Sequence, residues 1–268
     1  FSRPHISLQL PAQRITTEME WHDVVIAQQP TDQLQELQAW INHGKTILYD
    51  WKMKKQLQLG YRALFYGLPG TGKTLAASLL GKSTGKDVYK IDISMVVSKF
   101  IGETEKTLSN LFARAENKDW ILFFDEADAL FGKRINVRDA HDKYANQEVS
   151  YLLQRVENYD GLVILASNFK DNIDKAFIRR FQSVIHFPLP TAKERTRLWQ
   201  QAFPSQITLA EDINLSDLAE TYELTGADIV NVVQYCCLKV LQNDSKAIHQ
   251  KDILHAIKRE FSKAGKIV

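Results

Sequence analysis

Between residues 60 and 190, short apolar runs rich in β-branched and aromatic residues alternate with longer stretches of helical periodicity. That alternation is the pattern of parallel strands joined by crossover helices. The runs predict strands at 62–67 (RALFYG), 87–92 (DVYKID), 120–125 (WILFFD), 162–167 (LVILAS) and 183–188 (SVIHFP). Near-continuous hydrophobicity in the third and fourth suits strands covered on both faces, while the more polar second and fifth belong at or near the edges. A helix is expected around 31–43. After Pro188 and Pro190 the periodicity is helical throughout, over 191–203, 214–223, 226–242 and 250–262. The chain therefore reads as α/β: a five-stranded parallel αβα sandwich over 21–190 and a smaller all-helical C-terminal domain over 191–268. Residues 1–20, weakly periodic, read as an N-terminal extension or linker.

Composition narrows this picture only a little. With 268 residues, 44% hydrophobic and 25% charged, the chain is large enough for a substantial buried core. A net charge of +2 gives no support for a polyanionic partner. The longest apolar runs, such as 121–124 and 162–166, fall far short of the roughly 20 residues a membrane span needs. Cys236 and Cys237 are adjacent, which suits no ordinary disulfide and makes a reducing, cytoplasmic setting the expectation. Phe1 in place of an initiator Met points to a piece cut from a longer chain. The seven histidines lack the spacing of zinc ligands. Trp40, Trp51, Trp120 and Trp199 sit among apolar neighbours and read as core or interface residues.

The chemistry begins at GLPGTGKT, residues 67–74, directly after one predicted strand and before a helix. This is the context a phosphate loop requires. Gly67, Gly70 and Gly72 let backbone N–H groups converge on phosphate oxygens at the positive end of the following helix. Lys73 would reach the β- and γ-phosphates and Thr74 would ligate Mg2+. The alternative is a glycine-rich strand-to-helix turn without a ligand, against which the flanking strand and helix speak; the second element is ILFFDEAD at 121–128, whose own alternative is an acidic strand end opening a solvated turn. There Asp125 would support a hydrated metal and Glu126 would activate or orient an attacking water. Both stand at the carboxyl end of the predicted sheet, where ligands of open α/β sheets bind. Asn168, after Ser167 at the end of the fourth strand, could hydrogen-bond a γ-phosphate and the lytic water, although alone it would read as a turn residue.

Taken together, GLPGTGKT, FFDEAD, the Ala166–Asn168 triplet, IRRFQ (178–182) and TGAD (225–228) resemble the AAA family of ATPases, within the AAA+ class. The resemblance runs in order from about residue 20 to the C-terminus. It implies a P-loop αβα domain with a helical lid that assembles into a ring, commonly a hexamer. It implies ATP and Mg2+ as ligands, held by Gly67, Pro69, Gly70, Thr71, Gly72, Lys73, Thr74, Leu75 and Asp125, with Gly226 and Ala227 close to the adenosine. Thr74 and Asp125 would serve the metal. Lys73, Glu126, Asn168 and Arg180 would carry catalysis: Glu126 as base, Asn168 as sensor of the γ-phosphate, Arg180 as the arginine finger reaching the next subunit's site. The family usually separates two fingers by a short spacer, whereas Arg179 and Arg180 are adjacent, which leaves Arg179 without an assigned role.

Phe100, Ile101 and Gly102 resemble the aromatic–hydrophobic–glycine loop with which such rings grip polypeptide; a hydrophobic staple at the following helix is the alternative. The stretch 132–146 is either a second pore-facing loop or a solvated one. Asp23 and Val24, in WHDVVI, resemble the family's adenine-contacting segment but lack its usual glycine. The absence of an arginine on the lid helix near Gly226 separates the chain from DNA-handling branches of the class. The stretch from DEADALFGKR to VENYDG is also similar to bacterial AAA proteins, including ones encoded with phage-tail-like contractile injection systems. The implied function is ATP hydrolysis by an oligomeric ring that remodels, unfolds or disassembles a protein client. The compressed arginine pair keeps open an alternative, a nucleotide-gated switch or scaffold with slow turnover.

Overall fold

A computed structural model of the chain describes residues 12–93, 104–128, 150–168, 178–243, 245, 247–263 and 265. The chain divides into two units, one of residues 1–20, 28–67 and 73–186, the other of residues 21–27, 68–72 and 187–268.

The first unit is built on one sheet. Its strands are β1 (Ala12–Ile15), β2 (Tyr61–Tyr66), β3 (Val88–Asp92), β4 (Ile121–Asp125), β5 (Leu162–Ser167) and β6 (Ser183–His186), in the spatial order β1-β3-β4-β5-β2-β6. Five of them are parallel, as the alternating pattern predicts. β6 forms one edge and β3 lies one strand in from the other. β5 is central, with Leu162 opposite Tyr61 of β2 and Val163 opposite Leu122 of β4. All of its residues are buried, in keeping with a strand covered on both faces.

Side chains alternate across this sheet. Leu64, Leu122, Phe124, Val163 and Leu165 form one core with Leu108, Leu111 and Phe112 of α3 (Thr104–Lys118) and with Leu152 and Val156 of α4, described over 150–158. Ala63, Phe65, Phe123 and Ile164 turn to the opposite face. There α2 (Lys73–Thr84) packs on β3, β4 and β5, and α1 (Gln28–Lys45) packs on α2 and β6. Tyr159 closes one end of the first core, its hydroxyl donating to the Trp120 carbonyl at 2.5 Å, and burial pushes that phenol's pKa up.

A sixth strand was not expected. Residues 12–15 form β1, antiparallel to β3, with Ala12 opposite Ile91 and Ile15 opposite Val88. Arg14 fastens it by an ion pair to Asp87 at 2.6 Å. The four residues AQRI alternate too briefly to announce a strand, and it is the open edge of β3 that organises them. Trp51 is likewise not in a core: it is 69% exposed, just after the π-helical turn Thr46–Asp50.

The second unit carries α5 (Ala192–Ala202), α6 (Leu215–Thr221), α7 (Gly226–Gln242) and α8 (Gln250–Lys263). It is not purely helical. A two-stranded parallel ladder pairs Thr208 with Ala247 and Leu209 with Ile248. Strands of two residues lie below any periodicity signal. The helices pack around Trp199, Ile229, Val232, Cys236, Ile253 and Ile257.

Two measurements test this packing. Gly60 has φ +72°, and a Cβ there would stand 2.1 Å from the Tyr159 carbonyl oxygen. Gly85 has φ +68° but open space around it. Gly60→Ala is therefore expected to cost more than about 3 kcal/mol in urea unfolding and Gly85→Ala only about 1–2 kcal/mol, the left-handed backbone alone; equal costs would contradict the seam between β2 and residues 159–161. Burial pushes the Cys236 thiol up to about 12, while Cys237 is half-buried. Mass spectrometry after iodoacetamide treatment at pH 8 should find Cys237 modified well before Cys236 in the native chain, and both modified in denaturant. Equal native rates would contradict the burial of Cys236.

Candidate active site

The loop after β2 is shaped by glycines that only glycine replaces without strain. Gly70 has φ +79° and Gly72 φ +100°. A Cβ on Gly72 would meet nothing within 4 Å, so the loop is open where its backbone turns. A Cβ on Gly70 would stand 2.5 Å from Thr225 Oγ1 and 2.9 Å from the Ala227 Cβ. That close approach lies within the second unit, where the Ala227 N–H also donates to the Gly70 carbonyl at 3.4 Å. Thr71 closes the loop on itself, its hydroxyl donating to the Leu68 carbonyl at 2.8 Å. Pro69 is exposed and Thr71, Gly72, Thr74 and Leu75 are half-buried, the last two in the first turn of α2.

Lys73 opens α2 and is only 8% exposed. Its Nζ donates to the Gly67 carbonyl at 2.5 Å and to Asn168 Oδ1 at 3.3 Å. Burial pulls its pKa down, and the carboxylates of Asp125 and Asp128 pull it back up. The side chains predicted from three separate motifs therefore share one place, at the carboxyl ends of β2, β4 and β5. Gly67 is tied to the same place by its N–H, which donates to the Ser167 carbonyl at 3.2 Å.

Around β4 the geometry is equally specific. Asp125 Oδ1 accepts the Glu126 N–H at 3.0 Å, and Asp125 Oδ2 pairs with Lys90 Nζ at 2.6 Å. Glu126 itself is exposed and has φ +54°, a left-handed conformation that costs a non-glycine residue of order 1–3 kcal/mol and clusters at functional sites. The chain then returns to the sheet, the Ala127 N–H donating to the Ala166 carbonyl at 2.9 Å.

Four residues important to this arrangement are absent from the motif-based set. Asp128 Oδ1 accepts from the Ser167 hydroxyl at 2.5 Å and its Oδ2 from the Asn168 N–H at 3.1 Å, so this carboxylate fixes the tip of β5. Lys90 supplies a cation to Asp125 from β3. Thr225 caps α7 with Asp228 in a reciprocal box: the Asp228 N–H donates to Thr225 Oγ1 at 3.2 Å and the Thr225 N–H to Asp228 Oδ2 at 2.9 Å. That box sets Gly226 and Ala227 at the head of the helix, against Gly70. The fourth, Arg62, is a buried cation in β2. Arg62 and Lys90 show in the sequence only as charges within strand runs, without a sign of what they hold.

Asp23 and Val24 lie at and just after a short 3-10 turn, Trp21–Asp23, in the unit that also holds 68–72 and Gly226–Ala227. Arg179 and Arg180 are exposed, and Arg180 forms an ion pair with Glu157. Phe100, Ile101, Gly102 and the stretch 132–146 lie outside the described residues.

The residues present fit a nucleotide triphosphate and a divalent cation. The loop is open at Gly72, a buried ammonium heads the helix behind it, and Asp125 already accepts a cation at Oδ2.

Comparison with known proteins bears on the same residues. Residues 63–189 match the family model described as ATPase family associated with various cellular activities (AAA). The chain is 30% identical over 204 residues to the proteasome-activating nucleotidase of Methanosarcina mazei, covering 73% of this chain and 48% of that protein. It is 30% identical over 208 residues to the probable 26S proteasome regulatory subunit 6B of Caenorhabditis elegans, covering 75% and 50%. Against the 26S proteasome regulatory subunit 4 homolog B of Arabidopsis thaliana the identity is 36% over 174 residues, covering 62% and 39%. The chain spans about half the length of the curated relatives it matches. Its fold is that of the crystal structure of the FIGL-1 AAA domain, with a TM-score of 0.72, 21% identity, and coverage of 92% of this chain and 85% of that one. A phosphate loop, an acidic strand end and a central Asn meeting on a sheet of that architecture agree with the sequence match: the chain belongs to the AAA family of ATPases.

Proposed function

We propose that the chain is the ATP-hydrolysing part of an oligomeric ring that remodels, unfolds or disassembles a protein client. The observation that carries this reading is the buried Lys73 ammonium, held between the Gly67 carbonyl and Asn168 Oδ1 and within charge reach of Asp125 and Asp128. In it, the loop 67–74 cradles the triphosphate, Lys73 takes the β- and γ-oxygens, and Gly226 and Ala227 stand by the adenosine. Thr74 and Asp125 hold a hydrated Mg2+, which when bound neutralises charge on the phosphate oxygens. Lys90 releases Asp125 for that task. Asn168 orients a water toward the γ-phosphorus, and Asp128 fixes Asn168 by its backbone. As the water oxygen bonds to phosphorus and the bond to the β-phosphate oxygen breaks, Glu126 takes the water's proton, leaving ADP and inorganic phosphate.

Arg180 completes a second copy's site rather than its own, neutralising charge on the transferring phosphoryl, an effect worth roughly 10³–10⁵ in turnover. The resemblance supports a hexamer and a client drawn past Phe100. The named relatives, proteasome-activating and proteasome regulatory proteins, support a protein as the client. No helix among the described residues is long and apolar enough to cross a membrane, and the free cysteines support a cytoplasmic setting. The finer kinship, to bacterial proteins encoded with contractile injection systems, rests on the 125–161 stretch alone; none of the relatives named above speaks for it.

Two experiments test the catalytic assignments. Glu126→Gln is expected to keep nucleotide binding and lose at least about a hundredfold in phosphate release; turnover at the unmutated rate would remove Glu126 from its role. Asp128→Ala should lower kcat by roughly 10- to 100-fold, the equivalent of a lost charge-assisted hydrogen bond or two, while the Kd for an ATP analogue stays within about threefold. An unchanged kcat would mean that Asp128 does not hold the sensor in place.

A further inference from the structure

Arg62, the second residue of β2, is 2% exposed. A buried guanidinium persists only where its donors find acceptors. Its Nε donates to the Val156 carbonyl at 3.3 Å, Nη1 to the Gly60 carbonyl at 3.2 Å, and Nη2 to the Glu157 carbonyl. Val156 and Glu157 lie in the last turn of α4, whose carbonyls have no partner within the helix and carry the negative end of its dipole. Burial pulls the guanidinium's pKa down, and the nearby carboxylates of Glu157 and Asp160 act against that.

The backbone of the same residue holds a different segment. The Arg62 N–H donates to Gln182 Oε1 at 2.8 Å, and the Arg62 carbonyl accepts the Gln182 N–H at 3.0 Å. Gln182 is two residues after Arg180, and Arg180 is paired with the carboxylate of Glu157. One residue thus fastens both partners of the Arg180–Glu157 pair: Glu157 through the end of α4, Arg180 through Gln182. The pair is too solvated to hold itself, with side chains 52% and 42% exposed, and exposed pairs contribute about 0–1 kcal/mol.

We infer that Arg62 is the positioning residue for Arg180, fixing the segment 178–182 and the end of α4 in one frame. The inference rests on the reading of Arg180 as the residue that completes a neighbouring site. An arginine acting on a phosphoryl group must arrive in register, and a misplacement of about 1 Å can cost about a hundredfold. The planar fork of arginine spans the three carbonyls around Arg62; a lysine, with one nitrogen, does not.

The test uses the full chain with Mg-ATP, comparing Arg62→Met, Arg62→Lys, Gln182→Ala and Arg180→Ala. Phosphate release gives kcat, a fluorescent ATP analogue gives Kd, and urea unfolding identifies variants that remain folded. Arg62→Met is expected to lower kcat by roughly 10- to 100-fold with Kd within about threefold, and to cause no further loss when added to Arg180→Ala. Arg62→Lys should recover only part of the loss. Gln182 is exposed, so Gln182→Ala should fold whatever becomes of the Arg62 variants, and it should lower kcat with the same silence on the Arg180→Ala background. An unchanged kcat in Gln182→Ala and in the folded Arg62 variants would overturn the inference. So would a loss that persists undiminished without Arg180, or one that appears in Kd instead, since these mark a merely structural role. If Arg180→Ala itself turns over ATP normally, the finger reading falls first and the role of Arg62 falls with it.

Discussion

The candidate site depends on keeping one ammonium group out of water. Lys73 is buried at the head of α2, and a buried unpaired cation is costly enough that the chain must surround it with oxygen. The oxygens come from three places distant in sequence: Gly67 after β2, Asp125 and Asp128 at and beyond the end of β4, and Asn168 after β5. They meet because the strand order sets β4, β5 and β2 side by side and parallel, so that all three end on the same rim. Topology is therefore the precondition of the electrostatics. A sheet in another order would leave Lys73 beside its loop but without its carboxylates.

The same dependence explains what could be read in advance. The phosphate loop is legible because a backbone that turns at φ +79° and +100° restricts the residues that can occupy it, and that restriction appears directly as glycine. The acidic end of β4 is legible only beside the phosphate loop that precedes it, because an isolated pair of carboxylates after an apolar run reads as the start of a solvated turn. Asp128 belongs to the same acidic cluster, yet its role is set by a partner forty residues away on the next strand, and nothing local distinguishes it. Lys90 is hidden for the same reason. Thr225 could have been read as an N-cap from the T-x-x-D spacing, but its tight approach to Gly70 belongs to the fold. Arg62 shows only as a charge within a strand run, as Lys90 does, and what it holds, the end of a helix 94 residues on, is set by the fold.

Sequence periodicity fails where elements are shorter than a period can define. β1 has four residues and the β7–β8 ladder (Thr208–Leu209 with Ala247–Ile248) two on each side. Such strands are selected by an available edge rather than by their own composition, so they come into view only with the sheet they complete. The long elements behave oppositely. α7 begins at the predicted Gly226 and ends at Gln242 because a capping box and an apolar stripe agree on its start and course.

β2 also separates the two halves of the proposed chemistry. Its carboxyl end runs into Gly67 and the phosphate loop; its amino end, through Arg62, holds the segment that bears Arg180. Six strand residues at about 3.3 Å each set these ends on opposite rims of the sheet, roughly 17–20 Å apart, farther than one side chain can bridge. β2 is hydrogen-bonded on both sides, to β5 and β6, so bending it to bring the rims together would break ladders in the most buried part of the unit. If Arg180 completes a triphosphate site, that site must lie on another copy of the chain. On the proposed reading, the stiffness of one strand is what makes a second copy necessary: the cradle would stand on one rim and the arginine serving a neighbouring copy's cradle on the other.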